Sequence, residues 1–363
     1  MHDGTNSSMQ SFVNFNGEEL YYAEYYDDYK MNPKRLENYS TRKVNLNFSA
    51  HVQGIGLVGS SNGLICLSAK RSYHLKKLQL SFDEPSYIRN PITKEIINLP
   101  EMRIYKKNIK GSVNVVHGFG YHPLTNEYKV IRVSFFGSAY CKGHVEVYTF
   151  GSGSGSGWRC KGETDFDLRC NNVNICVNGA LHWLHVGSEN VVAFDLANEE
   201  FHLLQTEPTG RSLHVIRGCL CLVVESCCSG MWSWDLWFLK KNEEVSSSSY
   251  KSPCWSKDYI IMNVDYLLDY SRGILHLFGL SKGGNILLTN KYLGYVFSYD
   301  LESHIAHNIW GSDKICEGWA VPIPHINSFV SLKTLGEKNV VTFAGEGDGL
   351  KSPCSRKRKR LRT

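Results

Sequence analysis

His182 and His185 stand three residues apart beside Trp183, and two imidazoles that close together could ligate a metal ion. The residues around them read as a strand, where a side-chain period of two sends the rings to opposite faces, so shared ligation is not expected. Cys219 and Cys221 do share a strand face, with Cys227 and Cys228 close behind, an arrangement that would suit a soft metal or a redox couple. A metal ribbon needs a second pair at matching spacing, which is missing, so packing in the core is the expected role. The run Gly151-Ser152-Gly153-Ser154-Gly155-Ser156-Gly157 has the glycine content of a phosphate loop but neither the Gly-Lys-Ser/Thr ending nor a following helix, and it reads as a flexible hairpin. It also fails as a nucleophile elbow, because its serines precede only Trp158 and a strand. Glu18, Glu19, Asp27 and Asp28 make an acidic patch, which in a tyrosine-rich segment reads as a solvated edge rather than a catalytic carboxylate pair. No catalytic, metal or cofactor constellation is expected from these residues.

Trp232, Trp234 and Trp237 are the side chains from which a recognition stripe could be built. The first two share a strand face and Trp237 points the other way, which is the pattern of packing between sheets. The sharpest local signal is the run Arg356-Lys357-Arg358-Lys359-Arg360-Leu361-Arg362, dense in charge and without a packing role. It is predicted to be a nuclear localisation signal that divides the protein between nucleus and cytoplasm. The alternative is an arm that neutralises nucleic-acid phosphates. Ser352-Pro353 lies just upstream, and a phosphate on Ser352 would weaken receptor binding by neutralising charge.

What must position these residues is a set of short strands. Helical periodicity is hard to find, whereas apolar runs of four to eight residues recur, among them Gly63–Leu67, Tyr128–Phe135, His144–Phe150, Val191–Phe194, Cys219–Glu225, Trp234–Leu239, Gly273–Phe278 and Tyr295–Tyr299. Three segments repeat one design, in which a glycine opens an apolar strand and a second strand ends in a polar residue before a third. They run from Asn62-Gly63 through Asn90-Pro91 to Pro100, from Asn178-Gly179 through Asp195 to Leu204, and from Arg272-Gly273 through Asp300 to Ala306. Each is an antiparallel meander in which Gly supplies one turn and Asn90, Asp195 or Asp300 starts the next. Such a sheet cannot bury both faces alone, so repeated sheets placed radially are the economical solution: an all-β, propeller-like array of about six blades. A β-sandwich of about 100 residues fits this length poorly.

At 363 residues, with 42% apolar and 12% aromatic side chains, the chain has material for a sizeable core, and disorder throughout is excluded. Its 40 basic and 35 acidic residues leave a net charge of +5, and most of that surplus lies in the last eight residues. The body is therefore close to neutral and offers no broad nucleic-acid groove. No apolar run approaches the roughly 18 residues of a membrane span, and Met1 to Gln10 is too polar for a signal sequence, so a soluble intracellular protein is expected. The twelve cysteines sit singly inside apolar strands, as in Ile65-Cys66-Leu67, and read as reduced, buried thiols. The expected organisation is a flexible N-terminus over 1–16, a β domain over 17–334 and a polar tail over 335–363, with Glu243–Ser252 as a surface loop. The segment from Ser328 to Leu332 is expected to pair with N-terminal strands.

The repeats also resemble a known family. Val58-Gly59-Ser60-Ser61-Asn62-Gly63-Leu64-Ile65-Cys66-Leu67 followed by Tyr87-Ile88-Arg89-Asn90-Pro91 is similar to the opening of the plant F-box-associated domain. Gly118-Phe119-Gly120-Tyr121-His122-Pro123-Leu124-Thr125-Asn126-Glu127-Tyr128-Lys129-Val130 resembles that family's most characteristic segment, and Gly157-Trp158-Arg159, Val177–Trp183, Leu236–Lys240 and Ser328–Leu332 follow in order. The resemblance covers roughly residues 54 to 334. It implies a substrate receptor of a cullin-based SCF ubiquitin ligase, in which an F-box grips the Skp-type adaptor and the associated domain selects a target protein. Residues 1–53 hold one proline, no tryptophan and an acidic tyrosine-rich run, so no F-box is visible there. Adaptor and cullin binding are accordingly expected only for a longer product, or once an F-box is fused before residue 17, while target binding carries over to the domain. A binding protein acting without a ligase, a truncated product and a propeller enzyme are the alternatives.

Overall fold

The computed structural model describes residues 10–16, 19–25, 39–44, 53–75, 78–102, 113–137, 142–151, 157–168, 175–206, 208–210, 212–228, 231–240, 254–262, 275–281, 284–290, 295–310 and 322–342. It contains six antiparallel sheets and, among the described residues, no helix. Blade 2 is β4 (Gln53–Ser61), β5 (Leu64–Leu75), β6 (Leu78–Arg89) and β7 (Glu95–Asn98); blade 3 is β8 (Val113–His122), β9 (Glu127–Phe136), β10 (Gly143–Phe150) and β11 (Trp158–Thr164). Blade 4 is β12 (Ile175–Val177), β13 (Ala180–Leu184), β14 (Val191–Asp195) and β15 (Phe201–Leu204); blade 5 is β16 (Ser212–Ile216), β17 (Cys219–Cys228), β18 (Met231–Lys240) and β19 (Cys254–Met262). Blade 6 is β20 (Leu275–Leu280), β21 (Ile286–Asn290), β22 (Tyr295–Tyr299) and β23 (Ala306–Trp310). Blade 1 joins the two ends of the chain: β1 (Gln10–Asn16), β2 (Glu19–Tyr25) and β3 (Tyr39–Val44) are completed by β24 (Ile323–His325) as the innermost strand. The innermost strands touch in the cycle β24, β4, β8, β12, β16, β20 and back to β24, so the fold is the six-bladed propeller expected from the repeats.

The continuous apolar runs have a direct cause. In β5, Leu64 and Cys66 pack toward blade 3 while Ile65 and Leu67 pack toward blade 1. In β17, Leu220 and Leu222 face blade 4 and Cys221 and Val223 face blade 6. Middle strands are thus buried on both faces, and the polar half of the usual alternation disappears. Trp234 and Trp237 obey the same rule, packing into the blade 6 and blade 4 interfaces respectively; the side chain of Trp232 lies outside the described residues.

Two boundaries and one pairing differ from the sequence expectation. Residues 10–16, assigned to a flexible terminus, form β1, because Phe12 and Val13 bury into blades 6 and 2 while the intervening polar residues hid the pattern. An F-box joined at residue 17 would therefore displace a strand. The polar tail assigned to 335–363 begins later, since Leu335 is buried and β25 (Val341–Thr342) adds a fifth strand to blade 2 beside β7. The pairing with N-terminal strands belongs to Ile323–His325; Ser328–Leu332 is instead held by side chains, as described below. Ser246–Ser249, Gly273, most of the Gly151–Gly157 run, and Ser352 with Arg356, Lys357, Arg358, Lys359, Arg360 and Arg362 lie outside the described residues.

Candidate functional site

Antiparallel meanders place the turns after first and third strands at one end of the propeller, and the opposite end carries the remaining connections. The first end is built from two repeated devices. Asn62-Gly63, Asn178-Gly179 and Arg217-Gly218 all have positive φ at both residues and close two-residue hairpins. Gly63 is irreplaceable for a second reason, because a Cβ there would fall 2.2 Å from the Cβ of Ser328. In blades 2, 4 and 6 the turns after the third strands share an Asx design: the Oδ1 of Asn90 accepts from Ile92 and Thr93, that of Asp195 from Ala197 and Asn198, and that of Asp300 from Glu302 and Ser303. Each then passes through a left-handed residue, Lys94, Glu199 or His304. These are the turns the sequence assigned to Asn90, Asp195 and Asp300.

Across this end runs a strap, residues 326–340. Asn90 Nδ2 donates to the carbonyls of Ser328 and Val330 at 2.9 and 2.8 Å. Glu95 accepts from Ser331 Oγ and the Leu332 N–H, and Leu332 and Leu335 enter the core between blades 2 and 3. Beside the strap the family-like segment forms a tyrosine cluster, with Tyr121 4.7 Å from Tyr128, whose hydroxyl donates to the Asn62 carbonyl. Leu124 and Phe329, 91% and 86% exposed, project from the β8–β9 turn and the strap.

Two ionic centres lock blades together, one within these turns at Glu199 and one buried at Arg132. Glu199 receives Lys129, Arg159 and Lys161 at 2.9, 2.7 and 3.0 Å, joining blades 3 and 4. Burial opposes ionisation of Glu199, but the bonds from Arg159, Lys129 and Lys161 override it and hold the carboxyl at about 2. Arg132, 1% exposed, donates from Nε to Glu146 at 2.7 Å, lies 4.0 Å over the Trp158 ring and sits 3.7 Å from Glu84 of blade 2. Burial raises the Glu84 carboxyl above its ordinary value, with the Met102 N–H, Arg132 and Arg71 working against that rise. Sequence reasoning missed both centres, although Lys129 and Arg132 interrupt an apolar strand directly opposite Lys-free β10, where Glu146 pairs in register with Arg132.

The other chemistry-bearing residues separate. His182 is buried, which pushes its imidazole down to about 4, whereas His185 lies past the strand end beside Ser188 and Phe166. Cys221 is buried and its thiol pushed up by burial; Cys219 is half-buried, and the side chains of Cys227 and Cys228 are outside the described set. Glu19 pairs with Lys43 on blade 1, while Glu18, Asp27 and Asp28 are not described. Among the described residues no group of three or more His, Cys, Asp or Glu is placed to hold a metal ion. No helix among them is long and apolar enough to cross a membrane.

Comparison with known proteins agrees with this architecture. F-box protein At3g07870 of Arabidopsis thaliana is 29% identical over 250 residues, 61% of this chain and 54% of its own length. F-box protein DOR of the same plant is 26% identical over 237 residues, 62% of this chain and 56% of its own length. The chain thus spans a little over half of these relatives. Among solved structures, TolB from Acinetobacter baumannii overlaps 88% of this chain and 67% of its own at 13% identity and a TM-score of 0.41, too low to add to the fold already described. The sequence profile of the F-box associated beta propeller domain matches residues 20–315, and the chain belongs to that family.

Proposed function

We propose that this propeller is the target-recognition part of an F-box protein and that it grips a target protein with the turn-bearing end. The carrying observation is where large apolar side chains are left in water. Leu124 (91%), Phe329 (86%), Ile326 (73%) and Ile305 (51%) all lie at that end, against Val186 (40%) at the other and Val341 (53%) and Leu203 (44%) on the outer strands β25 and β15. Asn90 holds the strap on either side of Phe329, and the Thr125 N–H, donating to His122 Nδ1, closes the turn that carries Leu124, so little backbone entropy is lost when a partner covers them. Family membership supports an interaction module over an enzyme. Adaptor and cullin would be engaged through an F-box in a full-length product; action without a ligase is the second reading.

The test is a Leu124→Asp/Phe329→Asp double variant in affinity capture from plant extract, beside Val186→Asp. The double variant should lose at least about 10-fold of partner recovery, as expected for losing two apolar anchors, with an unchanged melting temperature because neither side chain is buried. Equal loss from Val186→Asp would move the site to the opposite end.

The basic run is proposed to add nuclear import. Deleting Arg356–Arg362 should abolish nuclear enrichment of a tagged protein, and Ser352→Asp should weaken it modestly. Unchanged localisation with lost nucleic-acid affinity would replace import by the arm reading.

A further inference from the structure

The ring closes through very little chain. β24 is three residues long, and within its sheet it is bonded to β1 alone, so its attachment depends on what its side chains meet. His325 is the last of them and is 3% exposed. Its Nδ1 lies 2.9 Å from Ser60 Oγ of β4, its carbonyl accepts from Ser11 Oγ of β1, and its ring meets Tyr22 of β2 edge-on at 5.9 Å. Its Nε2 is buried and has no hydrogen-bond partner among the described residues.

We propose that β24 is an acid-released clasp: protonation of His325 detaches the innermost strand of blade 1 and opens the ring there while the other blades stay folded.

A neutral imidazole suits this site, with Nδ1 bonded to Ser60 and Nε2 left as a lone pair. The imidazolium needs an acceptor at both nitrogens and a counter-charge, and the site supplies neither. From β1 comes Ser11, and from β4 Ser60, both uncharged. From β2 come Tyr22, whose phenol burial pushes up to about 12, and Glu24, whose Oε1 already accepts from that phenol. From β3 comes Arg42, its guanidinium 4.6 Å over the Tyr22 ring, and its charge repels a cation at His325. Blade 6 contributes Gly279, against Pro324. Burial first and Arg42 second therefore lower the His325 value from 6.5 to about 4. In the released strand the histidine is ordinary. Closure is accordingly at full strength above about pH 6.5 and is lost as the pH falls toward 4, and the opening equilibrium should rise about 30-fold between pH 8 and pH 5. His182 in blade 4 (about 4), His214 in β16 of blade 5 (about 3) and His117 in β8 of blade 3 are pushed down by burial too, but β13, β16 and β8 each pair along five or more residues with a strand next to them in sequence, against three for β24.

Hydrogen exchange of the full chain, read by mass spectrometry from pH 8 to pH 5 and corrected for intrinsic rates, tests this. Peptides covering Gln10–Asn16 and Ile323–His325 should lose about 30-fold in protection at pH 5 while those covering β9 and β13 keep theirs. His325→Asn, which cannot titrate, should remove that loss. Should His325→Asn fail to fold, C2-proton exchange of His325 in the unaltered chain reads its titration directly, and a value near 4 is expected. Protection retained at pH 5, simultaneous loss in all blades, the same acid opening in His325→Asn, or titration of His325 near 6.5 would each overturn the clasp.

Discussion

Asn90→Ala should destabilise the propeller by on the order of 3 kcal/mol, read as a lowered urea midpoint at constant m-value. The side chain is fully buried and uses all its capacity: Nδ2 serves the carbonyls of Ser328 and Val330, and Oδ1 serves the amides of Ile92 and Thr93. Truncation strands four backbone groups, and each left without a partner costs about 1–3 kcal/mol unless water reaches it. Asn90→Asp separates turn from strap. Blades 4 and 6 use Asp195 and Asp300 for the same turn, so an aspartate at 90 can still accept from both amides. It cannot donate to the two carbonyls and would set a negative charge against them. A cost close to that of alanine would locate the effect in the strap, whereas a near-neutral Asn90→Asp would show that only the turn matters.

Arg132→Ala is expected to cost about 3–5 kcal/mol, the range for removing one partner of a buried ion pair. It leaves Glu84, 1% exposed along its side chain, with Arg71 as its remaining cation, and frees Glu146 and the Trp158 face. Arg132→Met should cost less than alanine because volume and contact with Trp158 are kept. Glu84→Gln combined with Arg132→Met should recover part of the loss, since Glu84, the more deeply buried of the two carboxylates, then carries no charge. A double-mutant cycle in urea checks this, and additive losses would show that Glu84 and Arg132 do not act as a unit.

Much of this architecture could be read from residue order alone. The Gly63 and Gly179 hairpins and the Asn90, Asp195 and Asp300 turns sit where local chemistry demands them, because a left-handed backbone and an Asx acceptor depend on near neighbours. Closure was harder to see. β24 pairs Ile323 with Val13 and His325 with Ser11, more than 300 residues away, and three residues carry no periodicity. The ionic centres escaped for a related reason. Glu199 looks like an ordinary turn residue, and only the meeting of blades 3 and 4 brings Lys129, Arg159 and Lys161 around it. The exposure of Phe329 was likewise illegible, since the neighbouring Val330 and Leu332 pack into the blade 2–blade 3 core and an apolar run does not reveal which member faces water.

The recognition claim is tested most directly by site-specific photo-cross-linking. A photo-reactive phenylalanine analogue is placed at Leu124, at Phe329 or at Val186 of the full chain, and adducts formed in plant extract are identified by mass spectrometry. The turn-bearing end as the target site predicts that Leu124 and Phe329 capture the same protein, that unlabelled propeller competes it away, and that Val186 does not capture it. Capture of that protein from Val186 alone, or no competable adduct from either Leu124 or Phe329, would contradict it.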